Sequence, residues 1–205
     1  MDQKEKMFAG TWLDGLSVKR AICKQKIYSF NVIQPSEEKR VPQLLKDILG
    51  KTGKTIWIEP PFHCDYGWNI EVGENFFAHY NFAIWGVGKV TIGRNVLIAP
   101  NVSIYTAGHP VYVETCRLDC DYEYGNPVTI GNNVQIGGGT IILPGVTIGN
   151  NVIIEAGSVV GKNISENRIA AGNPCRIIRK MTEDDRTYYT KKRVFDIESR
   201  LGNAF

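Results

Sequence analysis

Histidine is scarce in this 205-residue chain: His63, His79 and His109 are the only three. A zinc-enzyme site takes about three imidazoles with polar partners behind them. Three histidines with no close pair offer poor material for one. Cys116 and Cys120, with three residues between them, are the only other metal-like spacing, and a lone pair of that kind in a loop is a weak motif. The cysteine count is five, odd and irregularly spaced, which fits a reducing cytoplasm better than a disulfide framework. Charge of either sign is hardly in excess: a net +3 is too little to argue for nucleic acid or a membrane surface. No apolar run approaches the ~18 residues of a membrane span. The opening residues, Met1 to Lys6, lead into no apolar signal-peptide core. The expectation is a cytoplasmic protein with no nucleic-acid or membrane partner.

What the chain does have is a period of six between Val128 and Ile164. Ile130, Ile136, Ile142, Ile148, Ile154 and Val160 stand six apart, and Val134, Thr140, Val146, Val152, Ser158 and Ile164 follow each by four. Gly131, Gly137, Gly149 and Gly161 directly follow members of the first series. A fixed hexad is the signature of a parallel β-helix, an all-β solenoid. Each flat side of a coil points one aliphatic residue inward, and stacked coils bury a continuous column. The glycines and small polar residues are expected at the corners, taking up positive φ.

Earlier hexads run through Ile58, Cys64 and Ile70, then Val72, Ala78 and Ile84, then Ile92, Ile98 and Ile104. Each shift of register predicts a corner irregularity, with residues 85–89 as one. Residues 110–127 break the period altogether and read as a loop thrown out of the coil, a kind of segment that is often functional. It is acidic and aromatic, with Glu114, Asp119, Asp121, Tyr122, Glu123 and Tyr124.

Residues 1–55 lack the hexad. Short helices are expected at Lys4–Ala9 and Ser17–Phe30, the latter with Leu16, Ala21, Ile22 and Tyr28 loosely on one face. Leu44, Leu45, Ile48 and Leu49 predict another helix, with Pro42 in its first turn and Gly50 as its C′ stop. This leader would cap an open coil end. The expected organisation is a helical leader at 1–55, a β-helix at 56–177 and a capping tail at 178–205.

With an aliphatic interior, chemistry must lie on the coil surface. His109 stands at the lip of the long loop in Ala107-Gly108-His109-Pro110. An imidazole, with its ordinary pKa of about 6.5, can take a proton from a hydroxyl at neutral pH. On residues alone, His109 is either a general base or a surface histidine.

The stretch from Glu59 to Ile70 (EPPFHCDYGWNI) resembles a signature of the maltose/galactoside O-acetyltransferase family of hexapeptide-repeat transferases. So do Ile92 to Val102 (IGRNVLIAPNV), Ala107 to Pro110, Glu123-Tyr124-Gly125 with Pro127-Val128, and Ala170 to Arg179 (AAGNPCRIIR). Lys6 to Gly10 and Leu13-Asp14 are similar to its leader. The resemblance covers nearly the whole chain. It implies a left-handed coil of triangular section, a homotrimer with sites between subunits, acetyl-CoA as donor, a sugar hydroxyl as acceptor, and no metal. Carried over, His109 is the general base for direct attack on the thioester, worth about 10²–10⁴ in rate. Glu123 orients or charge-stabilises the imidazolium, and a backbone N–H in the Gly137-Gly138-Gly139 run stabilises the oxyanion. Asp14, Asp65 and His79 bind the acceptor. Gly138, Ala156 and Gly161 leave room for pantetheine, and Lys162, Arg176 and Arg179 meet the nucleotide phosphates. Without the resemblance, Glu123 reads as a loop acid, and Arg176, Arg179 and Lys180 read as a solvated tail.

Three positions depart from the family pattern. His79 stands where the family has Asn, Trp85-Gly86-Val87 where it commonly has an aspartate, and Gln135 where a tryptophan is usual. Losing an acceptor-side acid and a pocket wall bears on acceptor identity more than on transfer chemistry. The rival readings are transfer to an amino or antibiotic acceptor, a metal-dependent hydratase on the same coil, and a non-catalytic hexapeptide scaffold.

Overall fold

The structure, a computed structural model, describes residues 16–109 and 124–186. The expected helix at Lys4–Ala9, most of the long loop, Cys116, Cys120, Asp14 and Glu123 lie outside the described residues. Two helices, α1 (Leu16–Asn31) and α2 (Val41–Ile48), lead into a parallel β-helix with three faces. The first face stacks Ile56–Ile58, Phe76–Ala78, Val96–Ile98, Val134–Ile136, Val152–Ile154 and Arg168–Ala171. The second stacks Phe62–Cys64, Phe82–Trp85, Ser103–Tyr105, Ile141–Ile142 and Val159–Val160. The third stacks Ile70–Val72, Val90–Ile92, Val128–Ile130 and Thr147–Ile148. The chain visits the faces in that order. Val134 pairs with Val152 one coil on, and Ile141 with Val159, so a regular coil takes three hexads.

Both hexad series point inward. Ile130, Ile136, Ile142, Ile148, Ile154 and Val160 are buried, and so are Val134, Thr140, Val146, Val152, Ser158 and Ile164. Each fully buried aliphatic contributes about 1.5–3 kcal/mol. The two hydroxyls in the column stay satisfied: Thr140 donates to the Gly137 carbonyl at 2.7 Å and Ser158 to that of Glu155 at 2.5 Å.

The corners carry glycines and small polar residues at positive φ, as expected, among them Gly139, Gly145, Gly157, Asn81 and Asn101, but the glycines that directly follow the first series are not among them. Asn75, Asn95, Asn133, Asn151 and Asn167 take that role at the corner between the third and first faces, with φ of 53° to 56°. Asparagine tolerates this region because its short amide bonds locally. Here the amides also bond to one another. Asn75 donates to Asn95 at 3.0 Å, Asn95 to Asn133 at 2.8 Å, Asn133 to Asn151 at 2.9 Å and Asn151 to Asn167 at 3.0 Å. The hexad glycines serve close stacking instead: a Cβ on Gly137 would meet the Ala156 backbone nitrogen at 2.4 Å.

The leader caps the open end, and its buried residues share one core with the coil. α1 buries Cys23, Ile27 and Phe30, while Ile22 and Tyr28 are exposed, so the face expected from Ile22 and Tyr28 is the wrong one. The cause is what waits beneath: Phe30 packs edge-on against Phe62, which stacks on Phe82. Asn31, at the end of α1, gives its amide to the Phe62 carbonyl and accepts the Phe62 N–H, both at 2.9 Å. A side-chain amide thus replaces the missing neighbour of an edge strand. α2 has Pro42 in its first turn, as expected, but it stops at an extended Leu49. Gly50 is required because a Cβ there would meet the Trp68 carbonyl oxygen at 2.2 Å. At the far end, Arg176–Lys180 folds back antiparallel on Arg168–Ala171, and a short 3-10 turn follows at Glu183–Arg186.

Asn133→Ala keeps the coil's apolar contacts but forces a Cβ residue without an amide into positive φ. It is expected to cost about 1–2 kcal/mol, more than Asn133→Gly, in denaturant unfolding. Equal losses for the two would show that the amide ladder, not φ, is what the position needs.

Candidate active site

The three widest corners lie one above another, between the second and third faces. Counted between inward residues, Cys64 to Ile70 and Ile84 to Val90 are six apart and Ile104 to Val128 twenty-four, where a regular coil takes four, from Ile142 to Val146. The expected irregularity at 85–89 is the second of them. Their backbones interlock. Thr106 donates its hydroxyl to the Trp85 carbonyl and accepts the Gly88 N–H, both at 3.0 Å, and its own carbonyl accepts the Asn126 N–H at 2.7 Å.

His109 stands exposed at this corner. Its position is set by a two-residue antiparallel ribbon that closes the neck of the long loop: Ala107 opposite Gly125 and Gly108 opposite Tyr124. Gly108 must be glycine because a Cβ would meet the Tyr124 ring at 2.5 Å. The Tyr124 hydroxyl reaches back to the His109 carbonyl at 3.5 Å.

Asp65 is two coils removed at the same corner, and it is buried. Arg20 from α1 donates to its Oδ1 through both Nε (2.9 Å) and a terminal nitrogen, and the Gly86 N–H donates to Oδ2 at 3.1 Å. Gly86 has φ +99°, and a Cβ there would meet Ala107 at 2.6 Å. The glycine that replaces a family acid therefore grips a carboxylate that enters the same corner from the coil before.

The remaining candidates lie elsewhere. His79, Gly138 and Ala156 are at the corner between the first and second faces. His79 Nδ1 pairs with Glu59 Oε2 at 2.8 Å, and its ring meets Phe77 edge-on. Gly138 accepts the Gly157 N–H, and within the 137–139 run Gly137 and Gly139 give their N–H groups to Ile154 and Pro100. Gly161 and Lys162 are exposed at the His109 corner, further along the coil. Arg176 and Arg179 are exposed on the terminal strand. Arg179 forms a two-pronged pair with Asp185 (2.7 and 2.6 Å), which holds the Asp185 carboxyl well below the usual carboxylate range. Gln135 faces outward on the first face. The chain thus brings His109 and Asp65 to one edge of the second face and puts His79, Gly138 and Ala156 on the other. A three-residue strand, about 10 Å, separates the edges. Among the described residues no three His, Cys, Asp or Glu side chains gather as a metal site, and no helix is long and apolar enough to cross a membrane.

Sequence reasoning missed Arg20, Glu59, Thr106 and the ribbon role of Tyr124. Glu59 and Tyr124 stand in the motifs quoted above without a role. Arg20 is 45 residues from Asp65, and no local signal links them.

A three-faced hexad coil with an exposed histidine at one corner fits a class, the bacterial hexapeptide transferases. The family model described as bacterial transferase hexapeptide (six repeats) matches residues 127–162. An Escherichia coli (strain K12) galactoside O-acetyltransferase is 47% identical over 92% of this chain and 91% of its own length. A maltose O-acetyltransferase from Clostridium difficile 630 superposes with a TM-score of 0.84 at 48% identity, over 89% of this chain and 99% of that one. A galactoside acetyltransferase in complex with coenzyme A superposes at 0.90 with 44% identity, over 96% and 99%. The chain belongs to the maltose/galactoside O-acetyltransferase family, and its coil is the left-handed β-helix of that family.

Arg20→Ala leaves a buried carboxylate with only the Gly86 N–H. It is expected to destabilise the fold by about 1–3 kcal/mol, read by denaturant unfolding, with Asp65→Asn in the same background recovering part of the loss. An unchanged unfolding midpoint would mean that the pair is ornamental.

Proposed function

We propose that the protein transfers the acetyl group of acetyl-CoA to a sugar hydroxyl of galactoside, glucose or maltose type, acting as a homotrimer. The observation that carries this reading is His109 itself. It is exposed on a neck anchored by the 107–108/124–125 ribbon, on the same corner as Asp65. Nε2 or Nδ1 of a neutral imidazole takes the acceptor proton as the hydroxyl oxygen attacks the thioester carbonyl. The thiolate of coenzyme A leaves and collects that proton from the imidazolium. No acyl-enzyme intervenes. Glu123 orients the ring. Gly138 is the member of its run whose N–H is not taken up in the coil ladder, and it faces the oxyanion.

The acceptor is held by Asp14, Asp65 and His79. A carboxylate offers about four lone-pair sites. Arg20 and Gly86 occupy three of them on Asp65, so one on Oδ2 remains for a sugar hydroxyl. Glu59 sets the ring of His79 so that its other nitrogen faces the ligand. Pantetheine lies against Gly138, Ala156 and Gly161, with Lys162 and Arg176 at the phosphates. Arg179 serves there only by exchanging its Asp185 pair for phosphate.

The division of the site supports the trimer. The second face exposes Trp85, Tyr105 and Leu143, and its two edges carry the two halves. Turning that face toward neighbouring copies sets the His109 edge of one chain against the Gly138–Ala156 edge of the next.

Free-thiol release from acetyl-CoA across a panel of sugars and aminoglycosides tests this. A sugar is expected to stimulate release, and His109→Ala to lower it at least ~10²-fold while coenzyme A binding is kept. Release that ignores His109, or none with any acceptor, returns the weight to the scaffold or metal-dependent reading.

A further inference from the structure

We propose that Cys23 and Cys64 are a thiol–disulfide couple, oxidised by a hydroperoxide to a bond that bolts α1 to the first coil. The two sulfurs lie 3.8 Å apart, one on α1 and the other on the first strand of the second face, and both residues are buried. A disulfide needs about 2.05 Å between sulfurs, so side-chain rotation with a small shift of the helix closes the gap. Nothing in a hexad coil calls for a cysteine at either place. Position 64 is an inward hexad position that Phe62, Ile84 and Ile104 show can be filled by larger apolar groups.

The two sulfurs are chemically unequal. Either thiol can donate in the contact between the two sulfurs, and with Cys23 as thiolate Cys64 donates; the Gly67 N–H donates to the Cys23 sulfur at 3.4 Å, and Lys26 is nearby. These bring the Cys23 thiol down to about 7, with the Cys64 bond as the largest cause. Cys64 is pushed up by donating that bond and by burial. Cys23 is thus the thiolate that attacks and Cys64 the thiol that resolves. Access exists on the helix side. A cavity of about 180 Å³ has Cys23 in its wall together with Lys19, Ile22, Lys26 and Trp68, large enough for a peroxide.

The chemistry balances with hydrogen peroxide as oxidant. The Cys23 thiolate attacks one peroxide oxygen. The O–O bond breaks, hydroxide leaves and takes a proton to become water, and Cys23 becomes a sulfenic acid. The Cys64 sulfur then attacks the Cys23 sulfur. The S–S bond forms, the S–O bond breaks, and the departing hydroxide takes the Cys64 proton as a second water. Two thiols lose two electrons in all, and one peroxide gains them.

The placement links this couple to the site. Arg20 is three residues before Cys23, on the same side of α1, and Asp65 is next to Cys64. The disulfide therefore fixes the helix–strand register on which the Arg20–Asp65 pair depends. Formation of the bond is independent of the proposed activity; only its effect on acceptor binding rests on that reading.

The test is a peptide map. The intact protein is treated with a small excess of hydrogen peroxide, alkylated while denatured, and digested without reductant. The expected product is a Cys23–Cys64 linked peptide, two hydrogens lighter than the sum of its parts and released by dithiothreitol, with Cys175 alkylated as a free thiol. The oxidised protein should melt several degrees higher than the reduced form, and Cys23→Ser and Cys64→Ser should each abolish both the link and the shift. Sulfinic acid on Cys23 beside a free Cys64 overturns the proposal. So does linkage of either residue to another cysteine, or two thiols left unchanged at a dose that joins them in the unfolded chain. The wild-type map decides the matter even if a serine variant fails to fold.

Discussion

Every coil of this molecule must repeat the one before it, residue over residue, because the backbone hydrogen bonds of one coil are made by the next. That constraint selects the sequence at two kinds of position. Inside, it demands an aliphatic residue per face, so that Ile130, Ile142 and Ile154 lie in columns with their counterparts above and below. At the corner between the third and first faces it demands an identical bend each time. Five asparagines in positive φ supply the bend and bond to one another along the coil axis. A corner held by such a ladder cannot be lengthened in one coil without breaking its neighbours.

Variation is therefore confined to the corner between the second and third faces, which no such ladder crosses. There the coil widens over three successive turns, and the widened backbone hosts polar groups. Thr106 ties three segments together, Gly86 grips Asp65, and the Ala107–Gly108/Tyr124–Gly125 ribbon presents His109. The relaxed repeat offers the buried Asp65 carboxylate a donor, the Gly86 N–H, that stacking does not already use. The same geometry divides the work. One chain carries His109 on one edge of a flat face and Gly138 and Ala156 on the other, a division that under the proposed function suits a symmetric assembly in which each site borrows from two copies.

The coil was legible from the period alone, since the inward residues from Ile130 to Val160 are a direct count in sixes, and His109 stood out by its place beside the break in that count. What could not be read was long-range or depended on stacking. The exposed Ile22 and Tyr28 misled because an aromatic cap of Phe30, Phe62 and Phe82, not local periodicity, decides which side of α1 is buried. Which of the corner glycines and small polar residues take positive φ was not legible, because a glycine is equally apt for a sharp bend and for a close approach, and only the neighbouring coil distinguishes them. Arg20 and Glu59 were invisible as partners of Asp65 and His79, since side-chain pairs across 45 and 20 residues leave no local pattern.

The composite site is the centre of this account, and subunit mixing tests it most directly. His109→Ala removes the base from one edge, and Ala156→Trp fills the groove on the other; each homotrimer alone should be inactive. Co-refolding equal amounts of the two should restore about a quarter of the wild-type rate, since some interfaces then combine an intact His109 edge with an intact groove. A mixture as inactive as either parent would contradict the account and put the whole site within a single chain.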